Sequence, residues 1–300
     1  MTAPDTEPSL GGLRLTEDTE VVDLVNVSPP TLDPLIHAPK LRELRLRHTN
    51  PHRTPIGVPL DLAPLGGATD LEVLILPGRA VHDLSPLRGL TKLRELDLSS
   101  TPVDDLAPLQ EAHSLRVLRL RASRIRTLEP LRDLTALTTL DVAHTGIADL
   151  AVVATLPNLT ELQLAGAAVA DLTPLTWLPH LTELSVSETP ITTLTALAAL
   201  PWLAAARRLD LSGTSLESLA GIERAARATE LLLYNTPIAD LAPLAALSEL
   251  RELNLSGTKV ADLTPLHALR HLAEITLDDT PVPAGQIAAL RAALPALAIG

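Results

Sequence analysis

Cysteine is absent from the 300-residue sequence, and so is phenylalanine. Without cysteine, the chain has no disulfide framework, no thiolate metal site and no cysteine nucleophile. Aromatic residues make up 1% of the chain, so any core has to be built from small aliphatic side chains. The lack of cysteine is compatible with a reducing compartment, and we expect a cytoplasmic protein.

Basic residues are also scarce, since 24 Lys and Arg stand against 36 Asp and Glu, for a formal net charge of −12. A general nucleic-acid binder needs clustered cations, so this balance argues against a nucleic-acid partner. Polar residues or proline interrupt every leucine-rich stretch, and Met1 to Gly12 lack a basic segment followed by an apolar run. We therefore expect no membrane span and no secretory signal. Three lysines among abundant Ala, Leu, Arg and Pro are typical of a GC-rich bacterial genome.

What the sequence has in abundance is leucine at a regular spacing. A 22-residue unit begins at Leu71, Leu93, Leu115, Leu137, Leu159 and Leu181. After a three-residue insertion it resumes at Ala206, Ala228, Leu250 and Leu272, and it extends back to Leu41 and, degenerately, to Thr19. About twelve units therefore cover residues 19–283, and such an array needs no second core because each unit packs on its neighbours.

Each unit follows the consensus Leu-x-x-Leu-x-Leu-x-x-Thr-x-Val-x-Asp-Leu-x-Pro-Leu-x-x-Leu-x-x, seen closely from Leu93 to Leu109. This pattern resembles the leucine-rich-repeat family, and its length is most similar to the internalin-type and phosphatase-regulator-type repeats. The resemblance implies an α/β fold, a right-handed solenoid with a curved parallel β-sheet on its concave face and short helices or 3-10 turns on its convex face. It also implies a scaffold that binds another protein.

The consensus itself predicts the two halves of each unit. Leu96 and Leu98 alternate with polar residues, which is typical of a short half-buried strand. The segment from Asp262 through Pro265 to Leu269 indicates a short helical turn, because Asp caps the start of a helix and Pro is tolerated in its first turn. The recurring Asp and Pro are therefore expected to be structural.

Position 9 of the repeat departs from the family, which usually has Asn there. Here it is threonine at Thr49, Thr101, Thr145, Thr189, Thr214, Thr236, Thr258 and Thr280. A hydroxyl donates one hydrogen bond where an amide donates two, so we expect the turn after each strand to be held by a reduced ladder. This departure leaves the closest subclass open.

Three irregular segments flank or interrupt the repeats. Residues 1–18, with Leu10, Leu13 and Leu15, are predicted to form an N-terminal cap, and residues 284–300 a C-terminal capping helix over Ala284 to Leu297. Eight extra residues lie within Asn50 to Leu60. That loop is either a decorative bulge, because surface loops tolerate insertions, or a rim that helps to grip a partner.

The outward positions of the strands are the candidate binding surface, because they have no duty in the core. The candidates with charge are Arg45, Arg47, Arg119 and Arg121 in the first half and Glu230, Glu252 and Glu274 in the last repeats. Residues 133–206 contain no Lys or Arg, which predicts a concave face of two opposite signs. The alternative is that these are ordinary solvated charges, with Glu favoured by cross-strand pairing with Arg and Thr.

Two apolar breaks in this polar face are further candidates, Val73 with Ile75 and Leu232 with Tyr234. An exposed aromatic side chain is a typical interface anchor. Alternatively, Tyr234 lies across the neighbouring strand. Trp177 and Trp202 are predicted instead to fill the space that the three-residue insertion opens.

No motif for catalysis is present: there is no phosphate-binding Gly-rich loop, no Gly-x-Ser-x-Gly elbow and no His-Glu-x-x-His. His267 and His271 are four residues apart but have no evident third ligand. We therefore expect that the protein is not an enzyme and that it has neither a cofactor nor a metal site.

The leading hypothesis is a monomeric, non-catalytic scaffold that recognises a macromolecular partner, a protein, on its concave face. One alternative is the sensor or regulatory module of a larger signalling system. Another is a surface adhesion protein.

Overall fold

The structure, a computed structural model, describes residues 8–48, 59–194 and 200–300. The chain divides into two units, Met1–Gly146 and Ile147–Gly300. Thr49 and the part of the predicted insertion from Asn50 to Val58 lie outside the described residues. At the end of that insertion Pro59 forms a parallel bridge with Ala80, and the backbone N–H of Leu60 donates to Ala80 O at 3.0 Å.

A small hairpin opens the described part of the first unit, formed by β1 (Ser9–Leu10) and β2 (Leu13–Arg14). Gly11 and Gly12 turn it with φ of 57° and 89°, and a Cβ on Gly11 would lie 2.6 Å from Val27 Cγ1. The turn therefore needs glycine at Gly11 both for its conformation and for its close approach. Leu10 and Leu15 are buried, whereas Leu13 remains 39% exposed.

Six parallel strands follow in the first unit, and each pairs with the next one along the chain. They are β3 (Val21–Val25), β4 (Glu43–Arg47), β5 (Val73–Ile75), β6 (Glu95–Asp97), β7 (Val117–Arg119) and β8 (Thr139–Asp141). The register places equal repeat positions opposite each other, so that Leu74 pairs with Leu96 and Leu96 with Leu118. All three of these side chains are fully buried, which is the stacked core that the repeat predicts.

Seven parallel strands form the sheet of the second unit in the same way. They are β9 (Glu161–Gln163), β10 (Glu183–Ser185), β11 (Arg208–Asp210), β12 (Glu230–Leu232), β13 (Glu252–Asn254), β14 (Glu274–Thr276) and β15 (Ala298–Ile299). The predicted closing helix is α1 (Ala284–Ala293), which ends four residues before the predicted limit at Leu297. After it the chain adds β15 beside β14, a strand that the sequence did not indicate.

The helical turns between the strands are short 3-10 helices, as the resemblance implied. Their bounds are Asp33–His37, Ala63–Leu65, Ser85–Leu87, Ala107–Leu109, Glu129–Leu131, Ala151–Thr155, Thr173–Trp177, Pro201–Ala205, Ile222–Arg224, Ala242–Ala246 and Thr264–Ala268. The repeated Asp holds the start of the turn, because its carboxylate accepts a backbone N–H two residues on. Asp83 Oδ1, for example, accepts the N–H of Ser85 at 2.8 Å. The pKa of Asp83 is lowered by hydrogen bonds from Ser85, in which the side chain has the larger effect and the backbone N–H the smaller one. Thr173 lowers the pKa of Asp171 in the same way.

The position-9 threonines hold the turn at the other end of the strand. At each of the seven described positions, Thr49 being outside them, the hydroxyl donates to the carbonyl three residues earlier in its own repeat, for example Thr101 Oγ1 to Leu98 O at 2.6 Å and Thr236 Oγ1 to Leu233 O at 2.7 Å. The expected ladder is therefore a series of local bonds within single repeats. Both of these threonines are 2% exposed.

The two tryptophans behave differently from each other. Trp202 is 1% exposed, and its Nε1–H donates to Leu175 O at 3.0 Å, so it fills core space as predicted. Trp177 is 68% exposed, and the prediction that it also fills the space opened by the insertion is wrong. It stands at the last residue of the 3-10 helix Thr173–Trp177, where other repeats carry Gly89, Glu111 or Asp133, and the core does not reach that position.

Candidate functional site: the outward faces of the two sheets

The outward face of the second unit's sheet is an acidic column. Equal positions on successive strands stand opposite each other, so Glu183 pairs with Arg208, Arg208 with Glu230, Glu230 with Glu252 and Glu252 with Glu274. Among the residues of β9 to β14, all of which the structure describes, Arg208 is the only Lys or Arg. The predicted residues Glu230, Glu252 and Glu274 are therefore brought together on three adjacent strands, about 4.8 Å apart from strand to strand.

Glu230 occupies the centre of this column. Its carboxylate lies 3.1 Å from the Arg208 guanidinium, which stabilises its charged form. Burial nevertheless raises the pKa of Glu230, and the charges of Glu252, Asp210 and Glu183 raise it further against the opposing effect of Arg208. A cation brought to this position would relieve the repulsion among the carboxylates.

Leu232 and Tyr234 lie beside the acidic column, two and four residues after Glu230, and are half-buried. On the neighbouring strands Leu232 pairs with Asp210 and Asn254. The pKa of Tyr234 is raised by burial first and then by the charges of Asp210 and Glu188, which belong to the two preceding repeats. The charges of the two preceding repeats therefore act on Tyr234, and its side chain is only partly exposed.

The serines that flank Tyr234 leave room for it. The equivalent positions in the repeats before and after are Ser212 and Ser256. Ser212 is fully buried, and its hydroxyl has no hydrogen-bond partner among the described residues. The residues at the equivalent positions on either side of Tyr234 are therefore small, and Leu232 and Tyr234 form an apolar patch beside the carboxylates of Glu230 and Asp210.

The first unit's arginines are not a single cluster. Arg45 and Arg47 are on β4, whereas Arg119 and Arg121 belong to the β7 repeat, so two strands separate them by about 14 Å. Three of the four are paired on the described part of the chain: Arg45 with Glu43, Arg47 with Asp23 at 2.5 Å and Arg119 with Glu95 at 2.7 Å. Arg121 is exposed and has no ion pair among the described residues.

Between these arginines, Val73 and Ile75 are half-buried on β5. Val73 stands opposite Glu43 and Glu95, and Ile75 stands opposite Arg45 and Asp97. The first unit's face is therefore a mixture of paired charges and small apolar side chains, with much of its charge already neutralised.

Several exposed apolar side chains were missed by the sequence analysis. Val21 and Val25 on β3 are 50% and 46% exposed, in the degenerate first repeat where the periodicity was weak. Ile36 and Trp177 are 65% and 68% exposed on 3-10 helices. The signal that could have found Trp177 was its repeat position, which is polar or glycine in several other units.

The described residues offer no group of three or more His, Cys, Asp and Glu that could hold a metal ion. Of the histidine pair, His271 forms a hydrogen bond from Nδ1 to Ser248 O at 2.9 Å. His267 Nε2 is buried and has no hydrogen-bond partner among the described residues. No helix in the described part of the chain is long and apolar enough to cross a membrane.

Comparison with solved structures places the fold. An internalin, InlF from Listeria monocytogenes, superposes with a TM-score of 0.80 at 22% identity, over 94% of this chain and 86% of that one. A leucine-rich-repeat protein of Leptospira interrogans has a TM-score of 0.71 at 21% identity, over 93% and 81% of the two chains. The plant peptide hormone receptor RGFR1 in complex with RGF2 has a TM-score of 0.63 at 17% identity, over 97% of this chain and 54% of that chain.

These likenesses confirm the fold that the repeat implied, a leucine-rich-repeat solenoid with parallel strands and short 3-10 helices. No family model matches the sequence. No curated protein matches it either.

Proposed function

We propose that this chain is a non-catalytic scaffold that binds another protein on the outward face of the second unit's sheet. The observation that carries the proposal is the apolar patch of Leu232 and Tyr234 next to the carboxylates of Glu230, Glu252 and Asp210. A patch of this kind fits a partner segment with one apolar or aromatic side chain and basic residues on either side of it.

The energetics support this choice of partner. A central aromatic and aliphatic pair that becomes fully desolvated is the usual source of binding energy at an interface. Carboxylates around it add specificity and speed association with a basic partner, and this effect weakens as salt screens the charges. The partner should therefore bind faster and more tightly at low ionic strength.

The first unit's face is the weaker candidate for the same reasons. Arg45, Arg47 and Arg119 are already paired with carboxylates on their own or an adjacent strand. An acidic partner would have to displace those intramolecular partners, so each new contact gains little. Val73 and Ile75 remain as a small apolar surface between them.

The solved structures supply a precedent for the general activity and not for the partner. RGFR1 is a peptide hormone receptor in complex with RGF2 and shares this fold. A sensor or regulatory module is a more specific form of the same proposal, because recognition of a partner would then control an effector. A cytoplasmic location also remains part of the proposal.

The test uses a variant that the chain itself suggests. Leu232→Asn with Tyr234→Ser gives this repeat the residues of the next one, Asn254 and Ser256, so the strand and turn should form normally. Trp177→Ala is the matched control, because it removes a larger exposed aromatic from a 3-10 helix and leaves the strand face intact.

A partner captured from a lysate of the source organism is identified, purified and titrated by calorimetry against all three proteins. We expect the double variant to lose about 30-fold or more in affinity, since the two substitutions remove the central anchors, and Trp177→Ala to bind as the wild type does. Equal affinity of the double variant and the wild type, or loss of binding with Trp177→Ala alone, would place the interface elsewhere and refute the proposal.

A further inference from the structure

One buried arginine in the first unit occupies a position where most repeats have threonine. Arg79 is at position 9 of the repeat that begins at Leu71, and the next repeat has Thr101 there. The Arg79 side chain is buried, with 5% of the residue exposed. Its Nη2 donates to Val27 O at 2.9 Å, and its Nε has no hydrogen-bond partner in the described part of the chain.

Among the described residues Arg79 forms no ion pair, so no carboxylate balances its charge there. Removing a guanidinium from water without a counter-ion is costly, and buried charges in proteins are normally paired. Burial lowers the pKa of Arg79, and burial together with the charge of Arg79 lowers the pKa of His48. The charge of Arg79 therefore acts on the neighbouring His48.

Arg79 lines a cavity of about 320 Å³ that is open to solvent. His82 and Arg124 line it as well, together with the hydroxyl-bearing residues Ser100 and Thr101. None of the described lining residues is acidic. An acidic pair, Asp104 and Asp105, lines an adjoining depression, which shares Arg124 with the cavity and also includes Arg126.

We propose that this cavity binds an oxyanion, a phosphate or carboxylate group of a ligand, with Arg79 as the buried anchor and Arg124 as the exposed second cation. A guanidinium donates hydrogen bonds in a planar fork that matches both groups, and the buried charge of Arg79, which has no carboxylate partner among the described residues, favours an anion in the cavity that it lines. The volume fits an oxyanion with a small attached moiety. The site lies in the first unit and is independent of the proposed protein-binding face.

The array supplies the variant that tests the site. Arg79→Thr gives this repeat the residue that Thr101 and Thr145 provide in later repeats, where the hydroxyl bonds the carbonyl three residues back. Arg124→Gln removes the exposed cation without touching the core. Arg126→Gln is the control, since Arg126 is also exposed but lines only the adjoining depression.

The full chain is heated in sodium phosphate, sodium acetate or sodium chloride at equal ionic strength, and unfolding is followed by circular dichroism. We expect phosphate, acetate or both to raise the Tm of the wild type above its value in chloride by about 2–4 °C. Arg79→Thr should lose this rise, Arg124→Gln should reduce or lose it, and Arg126→Gln should keep it. A rise in only one of these salts identifies the group as phosphate or carboxylate, and a rise in both shows that the site accepts either oxyanion.

Two results overturn the proposal. One is an identical Tm for the wild type in all three salts. The other is a rise that persists undiminished in Arg79→Thr, because the anion would then act on the protein without the buried guanidinium. Should Arg79→Thr not fold, Arg124→Gln decides the matter, and an undiminished rise in that variant counts against the site.

Discussion

Replacing Thr214 by valine tests whether the position-9 hydroxyls hold the repeat together. Thr214 is 3% exposed, and its Oγ1 donates to Leu211 O at 2.6 Å. Valine has the same shape without the hydroxyl, so the substitution removes the hydrogen bond and leaves the packing in place. No other hydrogen bond to Leu211 O is found among the described residues.

The expected magnitude depends on what happens to the carbonyl. A buried acceptor left without a partner costs about 1–3 kcal/mol, so Thr214→Val should lower the free energy of unfolding by about 2 kcal/mol. Thr258 is the internal comparison, because its hydroxyl donates to Leu255 O at 2.6 Å while the Thr258 backbone N–H also donates there at 3.1 Å. That carbonyl keeps a partner, and Thr258→Val should cost only about 1 kcal/mol.

Urea unfolding followed by tryptophan fluorescence measures both effects, since the buried Trp202 belongs to the same unit as Thr214 and Thr258. Thr192→Val, at an exposed position of that unit, is the control and should change stability by less than about 0.5 kcal/mol. If Thr214→Val lowers the free energy of unfolding no more than Thr258→Val does, the unpaired Leu211 carbonyl is not the cause of the loss. If neither lowers it more than the control, the position-9 hydroxyls do not stabilise the repeat.

Two titrations test the electrostatics. Tyr234 is the only tyrosine, so the ultraviolet absorbance of ionised phenol reports it alone. We expect its pKa to lie above the ordinary value of about 10. Asp210→Asn should lower this pKa only in part, because burial is the larger cause of the shift. A midpoint at or below 10 in the wild type would contradict this environment. The folded-state pKa values of Asp83 and Asp171 are depressed, so their carboxylates stabilise the fold above the unfolded pKa of about 3.9, and this contribution disappears as the pH falls through the folded-state pKa. The Asp83→Asn/Asp171→Asn double variant keeps an acceptor that does not titrate, so its urea midpoint should fall less steeply with acid than that of the wild type; parallel slopes would argue against the capping role.

Much of the candidate site was predictable because strand side chains alternate. Position within the repeat placed Glu230, Glu252, Glu274, Leu232 and Tyr234 on the outward face. The structure has the three glutamates and Leu232 on adjacent strands in register, with Tyr234 two residues after the end of β12. Their number and order follow directly from the sequence. The sequence did not reveal that Tyr234 is half-buried and influenced by the charges of Asp210 and Glu188, because both effects arise from the stacking of the two preceding repeats against its own.

The arginines show that charges counted along the sequence do not predict the charge of a surface. Arg45, Arg47, Arg119 and Arg121 have the same sign and similar repeat positions, but the structure separates them into two pairs on strands about 14 Å apart. Three of the four have carboxylate partners on their own or an adjacent strand. A net charge summed along the sequence counts both members of such pairs and does not show that they neutralise each other.

The sequence by itself determined the architecture of this protein, because a 22-residue period with leucine at fixed positions has one way to bury its leucines, which is to stack repeats. It also determined the Asp and Thr positions that close each turn. Only the tertiary structure decided which exceptions to the pattern are exposed or buried. Trp177 stands in solvent while Trp202 donates to Leu175 O, Arg79 is buried where other repeats have threonine, and β15 extends the sheet beyond the last repeat. The physical reason is that the environment of each exception is made by residues about 22 or more positions away, brought next to it by the stacking of the repeats.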